Sequence, residues 1–252
     1  MIRKVFCIFP LLILLVVFST SPASMAQDAV GDLTIISPRV DATPTTITSR
    51  LPMVQDNSNN SEMLYLTNFG DSSASATITL YNATGERTSI DTTIDAKQVY
   101  FAFIRDISNT QGMFSLAVEA PDTVYGMIIT GPADFHSLSF RDLWRGSLST
   151  ETRTMYLPML AHYVWAAGDI YLANFAETAA DVTITVYEFN GTRVLERDMS
   201  VNAHALRHIP AEELIGTGQE GIFSVLISAP GTVLGVCTVT DPDNDRGYFP
   251  LR

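Results

Sequence analysis

Three aspartates alternate in "DPDNDRG": Asp241, Asp243 and Asp245. Hard cations such as calcium take several oxygens from one short turn, and D-x-D-x-D can supply them. An EF-hand loop needs glycine at position 6, whereas Gly247 stands at position 7. The stretch therefore reads as an acidic surface turn with calcium as its one candidate cofactor. His204 and His208 are four apart, a spacing that suits a metal on a helix. Their segment reads as extended and offers no third ligand. Cys237 sits among alternating apolar residues, which predicts a buried, inert thiol. A G-x-S-x-G nucleophile elbow does not occur in the sequence. Tyr163 and Trp165 in "HYVWAAGD", together with Trp144, could stack on a sugar ring or dock a partner. They could equally cover a junction between domains.

Charge narrows the partners. "MIRK" precedes an apolar run of about 14 residues, Val5–Phe18, too short for a span of roughly 20. "STSPASMAQ" follows, with small residues at Ser24 and Ala26. This order reads as a secretory signal peptide, residues 1–26, cleaved after Ala26. Removing Arg3 and Lys4 from the 15 basic residues leaves 13 against 27 acidic ones, a net charge of −14. Lys97 is then the only lysine. Such a surface repels phosphate backbones, which argues against nucleic-acid binding. No later stretch is apolar enough to span a membrane, so none is expected in the mature chain. Cys237 alone remains after cleavage, so no internal disulfide can form.

The elements that must position these residues come in two copies. "LPM" at Leu51–Met53 returns at Leu157–Met159, and "YLTNF" at Tyr65–Phe69 returns as "YLANF" at Tyr171–Phe175, both 106 positions on. Tyr81 and Tyr187, and Gly85 and Gly191, keep that offset. Later, "GMFSLAVEAPDTVYG" (Gly112–Gly126) pairs with "GIFSVLISAPGTVLG" (Gly221–Gly235) at an offset of 109. The three extra residues are expected in loops. The organisation that follows is a lead-in at 27–48, one repeat at 49–140, a polar linker at 141–154 and a second repeat at 155–252.

Each repeat alternates with period two. Ala76, Ile78 and Leu80 share one face of "ATITLY", with Thr77, Thr79 and Tyr81 on the other. Asn190–Gly191 signals a hairpin turn, and the repeated "AP" marks another. About seven short strands per repeat, with "AEELIG" as a single helical turn, predict an all-β fold of two tandem antiparallel β-sandwich domains, immunoglobulin-like in plan. Asn68 and Asn174 should close strand ends by bonding local backbone.

The order "LPM … YLxNF … TITxYxxxG … GxFSxxxxAPxTVxG" resembles the tandem immunoglobulin-like β-sandwich repeats of secreted bacterial surface proteins. That resemblance implies an extracellular scaffold or adhesive role and brings no catalytic residue. The expectation is a secreted, non-enzymatic module at the cell surface or outside it, or in the periplasm, meeting a protein or glycan. The alternative is a carbohydrate- or ligand-binding module using the loop aromatics. "GYFPLR" (Gly247–Arg252) resembles "MYLPML" (Met155–Leu160). It is either the last strand of the second repeat or the start of a third unit, able to donate a strand to a neighbouring chain.

Overall fold

Period-two patterning of the repeated blocks is realised as strands. The computed structural model describes residues 45–56, 60–132, 139–163, 166–240 and 246–251. The first copy contains β1 (Thr46–Asp56), β2 (Asn60–Asn68), β3 (Ala74–Tyr81), β4 (Arg87–Ile94), β5 (Val99–Phe103), a one-turn helix α1 (Ile104–Ser108), β6 (Gly112–Pro121), β7 (Val124–Pro132) and β8 (Ser139–Asp142). The second contains β9 (Thr152–Tyr163), β10 (Ala166–Asn174), β11 (Ala180–Glu188), β12 (Arg193–Val201), β13 (Leu206–Pro210), α2 (Ala211–Ile215), β14 (Gly221–Pro230), β15 (Val233–Thr240) and β16 (Arg246–Pro250). Among the described residues each copy thus has eight strands, where about seven were expected. The sequence reading found α2, whose "AEEL" run is rich in helix formers, but missed α1, whose "IRDIS" carries two β-branched isoleucines; neither helix has a side-chain cap.

Strand order is the same in both copies. In the first, the ladder β4-β3-β6-β1 faces the ladder β5-β2-β7-β8, and among the described residues the two join where Asp56 pairs with Ser61. In the second, β12-β11-β14-β9 faces β13-β10-β15-β16, joined at Tyr163–Ala166 and His162–Ala167. Inward residues of both ladders meet in one core per copy: Ile78, Leu80, Leu116, Leu64, Leu66 and Ile128 in the first. Their counterparts Ile184, Val186, Val225, Ile170, Leu172 and Cys237 fill the second. Fully burying a side chain of this size contributes about 1.5–3 kcal/mol, so each sandwich is held by its apolar interior.

The repeated words have structural explanations. "LPM" is a β-bulge: Leu51 pairs with Leu116 and Val54 with Phe114, so Pro52 and Met53 oppose Ser115 alone. Leu157 and Leu160 repeat this against Val225 and Phe223. A bulge accommodates proline, which lacks the N–H of a regular ladder, and bends the strand. The glycine of "TVYG" and "TVLG" leaves room for a leucine. A Cβ on Gly126 would lie 2.5 Å from Leu143, and one on Gly235 would lie 2.4 Å from Leu251. Asn68 is fully buried. Its Nδ2 donates to the carbonyls of Ser72 (2.8 Å) and Ile94 (3.0 Å), and its Oδ1 accepts from Gly70 N (2.9 Å). Asn174 does the same with Thr178, Val201 and Ala176.

The three extra residues of the second copy do not all fall in loops. Val186 pairs with Leu195 and Tyr187 with Arg193, so Val194 is a bulge inside β12. The other two lengthen the connection between α2 and β14. The chain's tail is β16, paired with β15 from Val236–Pro250 to Thr240–Arg246. It is the counterpart of β8, not of β1.

A third apolar cluster joins the copies, and residues 42–252 make one compact unit. Met53, Met113 and Ala117, on the outer face of the ladder β4-β3-β6-β1, meet Tyr171, Phe175, Leu206, Leu234 and Val236, on the outer face of β13-β10-β15-β16. Arg50 lies over the Phe175 ring at 5.8 Å, and Tyr81 stacks on His204 at 4.8 Å. Burial pushes the Tyr81 phenol pKa up and the Arg50 guanidinium pKa down, as expected for a partly dehydrated contact.

Candidate interaction surface

The outer face of β5-β2-β7-β8 is apolar and open. Outward positions on these strands alternate with the core-facing ones, and in this copy both sets are apolar apart from Thr67 and Asp142, the latter at the edge beside Met127. Pairing places Phe101, Tyr65 and Met127 in one row across three strands. Val99 and Tyr125 flank Thr67 in the next row, and Phe103, Met63, Ile129 and Phe140 form a third. Tyr65 and Phe101 stack with ring centroids 6.2 Å apart, and Phe69 meets Tyr125 edge-on at 5.6 Å. Arg145 lies 3.9 Å over the Tyr125 ring and donates to the Asp122 carbonyl (2.7 Å). Adjacent strands are about 4.8 Å apart, so the rings form one contiguous platform. Contiguous apolar patches on a protein surface mark places where something docks. None of these residues is among the aromatics that the sequence offered as a site, Tyr163, Trp165 and Trp144. The signal was present: "VYFAF" and "TVYGMII" are apolar on both faces, unlike "TITLY".

One polar cluster is buried nearby. Glu62 accepts from Gln55 N (2.9 Å), Thr130 Oγ1 (3.1 Å), Arg141 Nη2 (2.7 Å) and Tyr248 Oη (3.1 Å). Arg141 also donates to the Met53 carbonyl and lies 4.0 Å from the Tyr248 ring centre. The second copy has Gly168 and Phe249 in place of Glu62 and Arg141. The pair is therefore specific to the first copy, and Tyr248 ties it to the second. These partners of the carboxylate are structural, and the group serves to fasten β2, β7, β8 and β16 together.

Sequence-predicted site residues are scattered. Trp144 is half-buried, packs against the cluster joining the copies, and pairs with Arg50 through two backbone hydrogen bonds of 2.7 Å. Tyr163 is half-buried at the end of β9, on the other copy. Trp165 and the aspartates Asp241, Asp243 and Asp245 lie outside the described residues. His204 pairs with Glu177 (3.0 Å) and His208 with Asp169 (3.4 Å), each in its own place. Among the described residues, no group of three or more His, Cys, Asp or Glu could hold a metal. Cys237 is fully buried, and burial pushes its thiol pKa up to about 12. A cleft of about 370 Å³ lies between the copies, lined among others by Pro52, Phe140, Arg141, Trp144 and Tyr248.

Comparison with known proteins gives weak likenesses. No family model matches the chain, and no curated protein sequence does either. Among solved structures, the exported protein XepA of PBSX is similar at 8% identity, covering 76% of this chain and 84% of its own, with a TM-score of 0.23. A Parabacteroides distasonis protein described as secreted is 12% identical over 91% of this chain and 83% of its own, TM-score 0.21. A β-glucuronidase of Bacteroides uniformis is 13% identical over 83% of this chain but only 26% of its own, TM-score 0.20. Likenesses this low carry no functional argument. No described helix is long and apolar enough to cross a membrane, which says nothing of spans made by strands. The fold that stands is an all-β sandwich architecture.

Proposed function

We propose that this chain is an exported, non-enzymatic interaction module that works through the aromatic face of its first copy. The observation carrying this reading is the platform of Tyr65, Phe69, Val99, Phe101, Tyr125 and Phe140, all but the half-buried Tyr65 exposed, on a strongly acidic protein. The leader expected at residues 1–26 supports an exported chain, in line with the tandem immunoglobulin-like repeats that its sequence resembles. Flat sheet faces suit macromolecular partners, whereas catalysis calls for a concave site with converging acid, base or nucleophile.

A photo-reactive amino acid at position 101, compared with one at Thr93 on β4, tests this in producing cells. Adducts should form at 101 and not at 93, on protein beginning at Gln27. No adduct at 101 would overturn the reading. A second reading, stacking of a sugar on the same rings, is favoured by the Tyr65–Phe101 arrangement. It requires saturable polysaccharide binding that Phe101→Ala removes.

A further inference from the structure

Two copies with one strand order give most residues of the internal junction a counterpart in the other copy, and those counterparts are exposed or half-buried. Phe175 is 8% exposed in the junction, and its counterpart Phe69 is 60% exposed. Leu234 at 6% corresponds to Tyr125 at 52%. Across the junction, fully buried Met53 corresponds to Met159 at 44%. Leu206 likewise corresponds to exposed Val99, and Met113 to exposed Ile222. The junction uses the outer face of the first ladder of copy one and the outer face of the second ladder of copy two. The chain therefore retains one unused face of each kind, on opposite copies.

We propose that these two free faces bind each other between molecules. The aromatic face of the first copy in one chain receives the outer face of β12-β11-β14-β9 from a second copy of this chain. This rests on reading the aromatic face as an interaction surface, and it names the occupant.

The residue chemistry carries over pair by pair. Arg50 over Phe175 becomes Tyr156 against Phe69, an aromatic pair. Tyr81 stacked on His204 becomes Tyr187 against Lys97, a cation over a ring. His204 and Lys97 both adopt left-handed backbone, with φ of 55° and 60°. Each pairs with the matching acid at 3.0 Å, Glu177 or Asp71. Ala117 becomes Leu226, so the free face is the more apolar of its kind. Such a contact joins two different patches and is heterologous, so each addition regenerates both free faces. Assembly then runs on as an open array or closes as a ring.

Sedimentation velocity over a concentration series tests this on wild type, Tyr125→Asp and Tyr156→Asp. Both residues are exposed, so the folded chain should survive, as a thermal melt will check. Phe69→Asp and Met159→Asp replace either variant that does not fold. Wild type should pass beyond dimers as concentration rises. Each variant alone should need about 30-fold or more protein to associate. Their equimolar mixture should stop at a one-to-one dimer, because each chain retains the face the other lost. Wild-type assembly by Tyr156→Asp would overturn the proposal, since the aromatic face would then pair with itself. A wild type that stays monomeric would also overturn it, as when residues 27–44 cover the face. In that case, adducts at position 101 to another macromolecule would leave the functional reading standing, and their absence would sink both.

Discussion

Two buried side chains illustrate how far single residues reach. Asn68 and Asn174 satisfy carbonyls that strand ends and turns would otherwise leave buried and unpaired. Replacing either with alanine removes donor and acceptor together, so Asn68→Ala and Asn174→Ala should each lower stability by about 2–3 kcal/mol. Urea midpoints at constant slope would report it. Their role was legible because asparagine closing an apolar strand has few other uses. Cys237 was legible too, from its place opposite Ile128 in the repeat. Its folded pKa of about 12 lies above the ordinary value of 9.0. The unfolded chain therefore releases this proton first, and stability present in full below pH 9 is lost as pH rises toward 12. The slope approaches about 1.4 kcal/mol per pH unit. Unfolding of Cys237→Val between pH 8.5 and 10 should lack this component, and native thiol should resist alkylation at pH 8. The Glu62–Arg141 pair was not legible. Its members are 79 positions apart, and nothing local marks either one. Arg141→Met should cost about 3–5 kcal/mol by leaving a buried carboxylate uncompensated.

At the scale of elements, periodicity carried most of the reading. Alternation, turns and the repeat register predicted the strands, but three features escaped. The helix α1 is a single turn whose two β-branched isoleucines read as strand residues. Bulges are invisible to a gap count, so an insertion inside β12 looked like loop growth. Outward-facing aromatics looked like ordinary strand residues because inward and outward apolar positions are indistinguishable in one strand taken alone. Val194 gives a direct check. Deleting it restores the register of the first copy and should cost about 1 kcal/mol or less. Deleting Thr183 from the central strand β11 turns part of its inward set to the outside and should abolish cooperative unfolding. Circular dichroism melts on both deletions distinguish the cases.

For the whole molecule, the duplicated fold explains why the two copies differ where they do. Tyr171, Ala173, Leu234 and Val236 are buried by the first copy. Their counterparts Tyr65, Tyr125 and Met127 have stayed apolar or aromatic without that cover, and only Ala173 has a polar counterpart, Thr67. The platform is thus the same docking face with its partner missing, and the central claim is that another chain supplies one. The most direct measurement is cross-linking at positions corresponding to Tyr81 and His204. Chains carrying Tyr187→Cys and chains carrying Lys97→Cys, mixed with a short bis-maleimide, should link to each other and only across the mixture. Linkage of Lys97→Cys chains to themselves, or no linkage at concentrations where the protein assembles, would contradict the account.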